Sequence, residues 1–302
     1  MKILLCTDGS SHTVRGLNLG VRVARAAASY VDILAVIEPG REGEIDRLVE
    51  AAAAELEEAG IPVTIQRRSG RIAEEVIRQA QTIPYDLLIM GSRGRRGLVR
   101  LLLGSVALHV AGHAPVPVLV VKGRIGDLKR FLVCSSAGPV SERTIRFAGH
   151  LARALKASVT LLHVMSQLPL TEGAVLADLE ASAEELIQRG SPEGMHLGRM
   201  LDLLRAEGVA TRAVARHGLV LDEILAEAQE GHYDLLVTGA HVTPGLNARL
   251  VDDLSADILL VANCPVLVVR QETRKPGNRE SGDRDAAQIT DSQITDSLIP
   301  GH

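Results

Sequence analysis

The residues best suited to do chemistry are glycines and a hydroxyl residue in the N-terminal half of the chain. Gly91 and Gly94 follow an apolar run, and nine residues then separate Gly94 from the pair Gly104 and Ser105. Glycine permits positive φ and lets the backbone approach a ligand closely. A helix that opens at Gly104 would present free N–H groups and its positive dipole end, which favour an anion such as phosphate. The spacing therefore predicts an anion site, with Ser105 either an additional donor or a plain N-cap.

A carboxylate accompanies this pattern near the start of the chain. Asp8 ends the first apolar run and begins the turn Asp-Gly-Ser-Ser. It could accept hydrogen bonds from ribose hydroxyls or hold a metal, or it could cap the next helix and need no ligand. Two common phosphate motifs do not fit. The chain has no Gly-x4-Gly-Lys-Ser/Thr, and Gly91, Gly94 and Gly97 differ in spacing from the dinucleotide motif Gly-x-Gly-x2-Gly.

Other reactive side chains lack the partners that catalysis requires. His109 and His113 are four residues apart without a third metal ligand, and we interpret them as structural. The three cysteines lie in or beside apolar runs and show no metal or redox spacing, which is typical of core thiols in a reducing compartment. No pair of carboxylates stands out as an acid/base set. The sequence therefore suggests no catalytic and no metal-binding residue.

Composition limits the partners. The chain has 302 residues, enough for about two domains. A net charge of -4 and an aromatic content of 2% argue against nucleic acid as a ligand. No apolar run approaches the ~20 residues of a membrane span, and the N-terminus lacks the apolar stretch of a signal peptide. We expect a cytoplasmic protein with no membrane contact.

Apolar runs alternate with helical patterns along the first 122 residues. Continuous Val, Ile and Leu runs predict strands buried on both faces, joined by helical crossovers. The predicted strands are 2–7, 31–37, 62–67, 86–91 and 116–121. The predicted helices are 11–28, 42–59, 71–82 and 104–112. This alternation predicts a doubly wound, Rossmann-like α/β domain with five parallel strands in the order 3-2-1-4-5.

The whole pattern occurs twice. Residues 3–8 resemble 131–136 and residues 85–91 resemble 233–239, so the offset grows from 128 to 148. The second copy therefore holds about 20 extra residues within 166–200. We predict two tandem domains, at 1–123 and 129–270. The polar remainder, 271–302, has the composition of a disordered tail.

The glycine pattern resembles the nucleotide signature of the universal stress protein family. ATP-binding members of that family carry Gly-x2-Gly-x9-Gly-Ser/Thr before a last strand. This chain matches every fixed position: Gly91, Gly94, Gly104 and Ser105. The opening Ile-Leu-Leu-Cys-Thr-Asp-Gly-Ser is similar to the family's first strand and its acidic residue. The resemblance covers 1–122 and, more weakly, 129–270. It implies ATP as the ligand and leaves Mg²⁺ open as a companion.

The resemblance also implies a role for each site residue. Asp8 would bind ribose or help to place a metal, and Val36 would line the adenine pocket. Met90 and Gly91 would flank ribose and adenine. The phosphates would be cradled by Gly94, Gly104, Ser105 and Val106. Arginines beside the phosphates would raise the local positive potential: Arg93, Arg95, Arg96 and Arg100.

The second copy departs from the signature. It keeps Gly239 but has Val242 for the second glycine, Asp252-Asp253 for Gly-Ser, and Ser136 for the acidic residue. A carboxylate at the phosphate position would repel the ligand. We therefore expect ATP in the first domain only. Domains of this kind commonly pair through their last strands, which predicts an intrachain pseudo-dimer joined at 118–121 and 266–269.

Three functions remain open at this point. The leading expectation is an ATP-binding sensor or regulator that does not turn over a substrate. The second is a slow ATPase or nucleotidyl-transfer enzyme, although no base or catalytic lysine stands near the cradle. The third is a structural module without bound nucleotide. A second copy of the chain, or another protein, remains a further candidate partner.

Overall fold

The computed structural model describes most of the two repeats. The described residues are 1–37, 42–92, 104–135, 139–165, 181–240 and 253–270. Several expectations fall outside these residues: those for Gly94, the four arginines at 93–100, Ser136, Val242, Asp252 and the tail at 271–302.

The first repeat alternates strands and helices as its apolar pattern predicts. Its strands are β1 (Lys2–Thr7), β2 (Tyr30–Ile37), β3 (Val63–Ser69), β4 (Leu87–Gly91) and β5 (Val118–Val121). Its helices are α1 (Ser11–Ala27), α2 (Glu42–Glu58), α3 (Ile72–Thr82) and α4 (Ser105–His113). The last strand begins two residues later than predicted, since Pro117 has no N–H to donate to the sheet.

The second repeat follows the same plan. Its strands are β6 (Arg130–Ser135), β7 (Ser158–Met165), β8 (Thr211–His217), β9 (Leu235–Ala240) and β10 (Val266–Arg270). Its helices are α5 (Pro139–Leu155), α6 (Ala183–Arg189), α7 (Pro192–Ala206), α8 (Val220–Glu230) and α9 (Asp253–Val261). Within the described ranges, every helix is too short or too polar to cross a bilayer.

All ten strands form one sheet in the order β3-β2-β1-β4-β5-β10-β9-β6-β7-β8. Each half is parallel with its first strand in the centre, which confirms the predicted order 3-2-1-4-5. The halves meet where β5 and β10 run antiparallel, with Leu119 opposite Leu267. The predicted pairing of the two last strands is therefore confirmed.

The sheet is buried on both faces. Side chains alternate along each strand, so that Leu5 faces one apolar cluster and Cys6 faces the other. Each cluster contains side chains of both repeats. The strands therefore read as continuous apolar runs, as strands covered by helices on both sides must.

Extra helix explains part of the longer second repeat. Between β7 and β8 the described residues contain α6 and α7, whereas α2 alone spans the corresponding connection of the first repeat. Gly190 ends α6 in the left-handed conformation, with φ 67, and Ser191 caps α7 immediately afterwards. A Cβ on Gly194 would lie 1.9 Å from the Leu186 carbonyl oxygen, so glycine permits the close packing of the two helices.

The segment between the repeats is fixed to both of them. From α1, Arg15 donates to the Gly123 carbonyl at 2.8 Å and Arg22 donates to the Gly126 carbonyl at 3.2 Å. From the second repeat, the Asp234 carboxylate accepts the backbone N–H of Lys129 at 2.9 Å. These bonds hold the two repeats in one arrangement together with the β5–β10 pairing.

Candidate functional site

A cleft opens at the carboxyl ends of β1 and β4. The sheet order reverses at β1, and ligands of doubly wound folds bind at such a point. The cleft has an empty volume of about 350 Å³, part of it open to solvent. Its walls are Cys6, Thr7, Asp8, Thr13, Ile72, Val76, Met90, Gly91, Val106 and Ala107. Four of the eight predicted site residues thus line one cavity: Asp8, Met90, Gly91 and Val106.

The Asp8 carboxylate is held in a fixed orientation. Its Oδ1 accepts the backbone N–H of Ser10 at 3.0 Å and the hydroxyl of Thr13 at 2.8 Å. The N-cap of α1 is Ser10, whose hydroxyl accepts the Thr13 N–H at 3.4 Å, so the capping alternative for Asp8 is wrong. No donor among the described residues lies on Oδ2.

Hydroxyl groups behind Asp8 form a small buried network. Thr7 and Thr13 hydroxyls lie 3.0 Å apart, and the Thr7 hydroxyl accepts the Gly9 N–H at 3.1 Å. Gly9 has φ 71, a left-handed conformation that turns the chain from β1 toward α1. The turn thus aims the carboxylate along the end of the strand.

A tight contact places α1 against the floor of the cleft. A Cβ on Gly16 would lie 2.6 Å from the Gly91 nitrogen and 2.8 Å from its Cα. Glycine at position 16 therefore allows helix and strand backbones to meet without a side chain between them. Gly91 in turn keeps the strand end bare where the cleft begins.

The start of α4 is tied to the end of β4 through its backbone. The Gly104 N–H bonds to the Ser92 carbonyl at 2.9 Å, which ties the helix start to the end of β4. Gly104 is the N-cap and has no side chain to cap the helix. Its carbonyl accepts the N–H groups of Ala107 and Leu108. The amides of the first two helical residues have no partner in the part of the chain that the structure describes.

Ser105 and Val106 carry those two amides. Ser105 is the first helical residue, so its role as a plain N-cap is excluded. Its side chain is exposed, and Val106 is half-buried on the wall of the cleft. Two free N–H groups at the positive end of a helix are the local chemistry of an anion site.

Sequence reasoning missed the apolar wall that α3 provides. Ile72 and Val76 are four residues apart on that helix and line the cleft opposite Met90 and Val106. Their i, i+4 spacing was the available signal, but it does not tell a ligand wall from ordinary core. Val36 is 1% exposed and belongs to the same apolar cluster, but it does not line the cleft.

Cys6 lines the cleft without being reactive. Burial raises the pKa of its thiol far above the ordinary value, because the thiolate would lose its hydration. The thiol therefore stays protonated at neutral pH. This side chain contributes shape and apolar surface rather than a nucleophile.

The two histidines of α4 stack on each other. Their rings stack with centroids 4.0 Å apart, and His113 Nδ1 donates to the His109 carbonyl at 2.8 Å. Among the residues placed by the structure, no group of three His, Cys, Asp or Glu side chains is arranged to hold a metal ion.

The corresponding position of the second repeat has polar side chains that bond to one another. Thr238 stands where the first repeat has Met90, and Ser255 where it has Ala107. The Ser255 hydroxyl lies 3.3 Å from the Thr238 hydroxyl and donates to the Gly239 carbonyl at 3.3 Å. Ser255 is 1% exposed, so these bonds are made away from water. The apolar wall of the first cleft is thus replaced by a polar, internally bonded contact.

Known proteins resemble the chain along both repeats. The sequence pattern of the Universal stress protein family matches residues 1–122 and again residues 127–270. A universal stress protein of Methanocaldococcus jannaschii is 31% identical over 138 residues, which is 40% of this chain and 81% of the relative. Another, from Mycobacterium bovis, is 30% identical over 197 residues, which is 62% of each chain.

A solved structure shares the architecture of both repeats. The universal stress protein from Archaeoglobus fulgidus DSM 4304 superposes with a TM-score of 0.64 at 22% identity. The match covers 89% of this chain and 98% of that one, which shows a common fold. With the family pattern found in both repeats, the chain belongs to the universal stress protein family.

Proposed function

We propose that this protein binds an adenine nucleotide, ATP, in the cleft of its first repeat and acts as a nucleotide-dependent sensor or regulator. One observation carries the proposal. Within the described residues, two amides at the start of α4 and the Oδ2 of Asp8 have no partner, and Asp8 and Val106 line one cleft whose wall is mainly aliphatic. The amides suit a phosphate chain, the carboxylate suits ribose hydroxyls, and the aliphatic wall suits an aromatic base.

The phosphates belong at the start of α4. The Ser105 and Val106 amides would donate to phosphate oxygens, and the exposed Ser105 hydroxyl would add a third donor. Gly104 has no side chain that could block the approach. Gly94 and the neighbouring arginines stay part of this proposal, as expected from the sequence. Mg²⁺ would be held mainly by phosphates and water, because Asp8 supplies the single carboxylate of the cleft wall.

The nucleoside belongs deeper in the cleft. Asp8 Oδ2 would accept hydrogen bonds from ribose hydroxyls. Met90, Ile72 and Val76 would form an aliphatic wall for adenine, in a chain with few aromatic side chains. Val36, buried behind this wall, would support the adenine pocket from the second strand.

The second repeat would bind no ATP. Its wall position carries the hydrogen-bonded Ser255 and Thr238 in place of an aliphatic surface, and the sequence of its helix α9 begins with an aspartate. A carboxylate at a helix start satisfies the dipole by itself and repels a phosphate. The second repeat would then act as the structural partner of the first.

Protein purified without added nucleotide provides the first test. The bound fraction would be released by denaturation and identified by chromatography. We expect adenine nucleotide from the wild-type chain and none from Ser105→Asp prepared in parallel. Equal amounts from both proteins, or none from a wild-type protein that also fails to take up added ATP, would contradict the proposal. Steady ADP release that vanishes in Asp8→Ala would instead favour an ATPase.

A further inference from the structure

Helix α4 connects the candidate cleft with the boundary between the repeats. It begins at Ser105, and its second residue, Val106, lines the cleft. Its C-cap is Ala114, whose carbonyl oxygen accepts a hydrogen bond at 3.2 Å from Arg270 of the second repeat. The nine residues of α4 rise roughly 13.5 Å along the helix axis. The Arg270 guanidinium therefore contacts the end of α4 that lies opposite Ser105.

The contact has a counterpart in the opposite direction. Lys122 of the first repeat donates to the carbonyls of Leu259 and Leu260, at 2.6 and 3.1 Å, near the end of α9. Lys122 and Arg270 occupy equivalent positions, 148 residues apart. Each repeat thus caps the fourth helix of the other with a cation. In the described part of the chain, α4 of the first repeat begins at a glycine N-cap without a side-chain cap at the end opposite this contact.

We propose that Arg270 is a positioning residue for the nucleotide cleft of the first repeat. It holds the carboxyl end of α4 and thereby fixes where the free amides of Ser105 and Val106 stand. The inference rests on the proposed function, since it concerns the regulation of that same site. It makes the second repeat part of the binding site without any contact between that repeat and the ligand.

The environment of Arg270 supports a specific role. The residue is 9% exposed, and burial lowers the pKa of its guanidinium. A buried cation is costly unless polar groups compensate it, and the negative end of a helix does so. The buried side of α4 is made of Ala107, Ala111 and Gly112, with Val110 as its larger aliphatic side chain. Because so few side-chain atoms anchor this helix, the end contact contributes to setting its position.

Paired substitutions test the proposal. Arg270→Met keeps the aliphatic length without the donor, Arg270→Lys keeps a cation as found at position 122, and Lys122→Met removes the equivalent contact on α9. We expect Mg-ATP to bind about 3- to 10-fold more weakly to Arg270→Met, measured by calorimetry. Arg270→Lys should restore most of the affinity, and Lys122→Met should bind as the wild type does.

Hydrogen exchange makes the test independent of nucleotide binding. In the protein without nucleotide, the amides of residues 105–110 should exchange faster in Arg270→Met than in Lys122→Met. Equal losses of thermal stability in both variants, with unchanged exchange and unchanged ATP affinity, would show that the contact merely joins the repeats and would overturn the inference. If the wild type binds no ATP, the proposed function fails while the exchange result still decides the role of Arg270.

Discussion

Position 105 and its counterpart 253 differ by one carboxylate, and each begins the fourth helix of its repeat. A serine leaves the helix dipole and the first amides open to an external anion. An aspartate brings a negative charge of its own to the same place. The contrast between the repeats therefore suggests Ser105→Asp, which places in the first repeat the residue type found at position 253.

Ser105→Asp should weaken phosphate binding while leaving the fold intact. A like charge at ~4 Å from a phosphate costs about 1 kcal/mol in water and about 4 kcal/mol in a partly buried site. We expect ATP affinity to fall by about tenfold or more, measured by calorimetry. The melting temperature should hold or rise, since an acid at a helix start stabilises it by ~0.3–1 kcal/mol.

Ser105→Ala is the matched control, because it removes the hydroxyl but adds no charge. It should lose only the contribution of one hydrogen bond, about 0.5–1.5 kcal/mol. If Ser105→Asp and Ser105→Ala bind ATP equally well, the phosphates do not lie at the start of α4.

Half-buried imidazoles in the second repeat predict a dependence of stability on pH. Among the described residues, the buried His163 Nδ1 has no hydrogen-bond partner, and the His163 ring lies 6.2 Å from that of His196. Burial is the main cause that lowers the pKa of both side chains. A hydrogen bond with the Ser135 backbone and the charge of Glu193 raise the pKa of His163, whereas His217 lowers it. His163 and Arg199 also lower the pKa of His196, whereas Glu142 raises it.

The sign follows from these lowered values. The unfolded chain takes up protons near pH 6.5, before the folded protein does. The contribution of these histidines to the free energy of unfolding should therefore be fully present above that pH. The free energy of unfolding should decrease as the pH falls below it. His163→Leu should show a weaker decrease between pH 7 and 5 in urea denaturation. An identical slope in the variant and the wild type would rule out His163 as a cause.

At the scale of elements, the contact between α1 and β4 governs the floor of the cleft. Its close approach depends on the missing side chain of Gly16, where a Cβ would meet backbone atoms of Gly91. Backbone cannot rotate away as a side chain can. A larger residue must therefore push the helix off the strand end that carries the site.

Gly16→Ala should destabilise the protein by about 1–3 kcal/mol, as overpacking does, and should weaken ATP binding as well. Gly198 of α7 is the matched control, because the nearest atom to its added Cβ lies 4.0 Å away. Gly198→Ala should be neutral or stabilise by up to ~1 kcal/mol through helix propensity. Chemical denaturation of both variants measures this, and equal effects would contradict the packing argument.

At the scale of the whole molecule, the sequence predicted the sheet but not the contacts across it. Long apolar runs such as those of β1 and β4 indicate strands buried between helices, so the parallel sheet could be predicted. The pairing of β5 with β10 was expected from the family resemblance. The contacts of Lys122 and Arg270 could not be predicted. These contacts depend on the register between β5 and β10. Because both strands are continuous apolar runs, the sequence does not determine which residues lie opposite each other.

The sequence predicted part of the candidate site, namely its glycines, but not its apolar wall. Glycine spacing identified Gly91 and Gly104, because a bare backbone is a requirement that a sequence shows directly. The wall residues of α3 were missed, since apolar spacing has the same form in a core and in a pocket. The choice between Ser10 and Asp8 as N-cap rests on turn geometry at Gly9, which only coordinates provide.

A calorimetric titration of the full chain with Mg-ATP tests the central claim most directly. The account predicts saturable binding to a single site per chain, lost in Ser105→Asp. Two equivalent sites per chain would show that the second repeat is open to nucleotide after all. The absence of measurable binding to the wild-type protein would contradict the claim that the free amides of α4 and Asp8 form a nucleotide cleft.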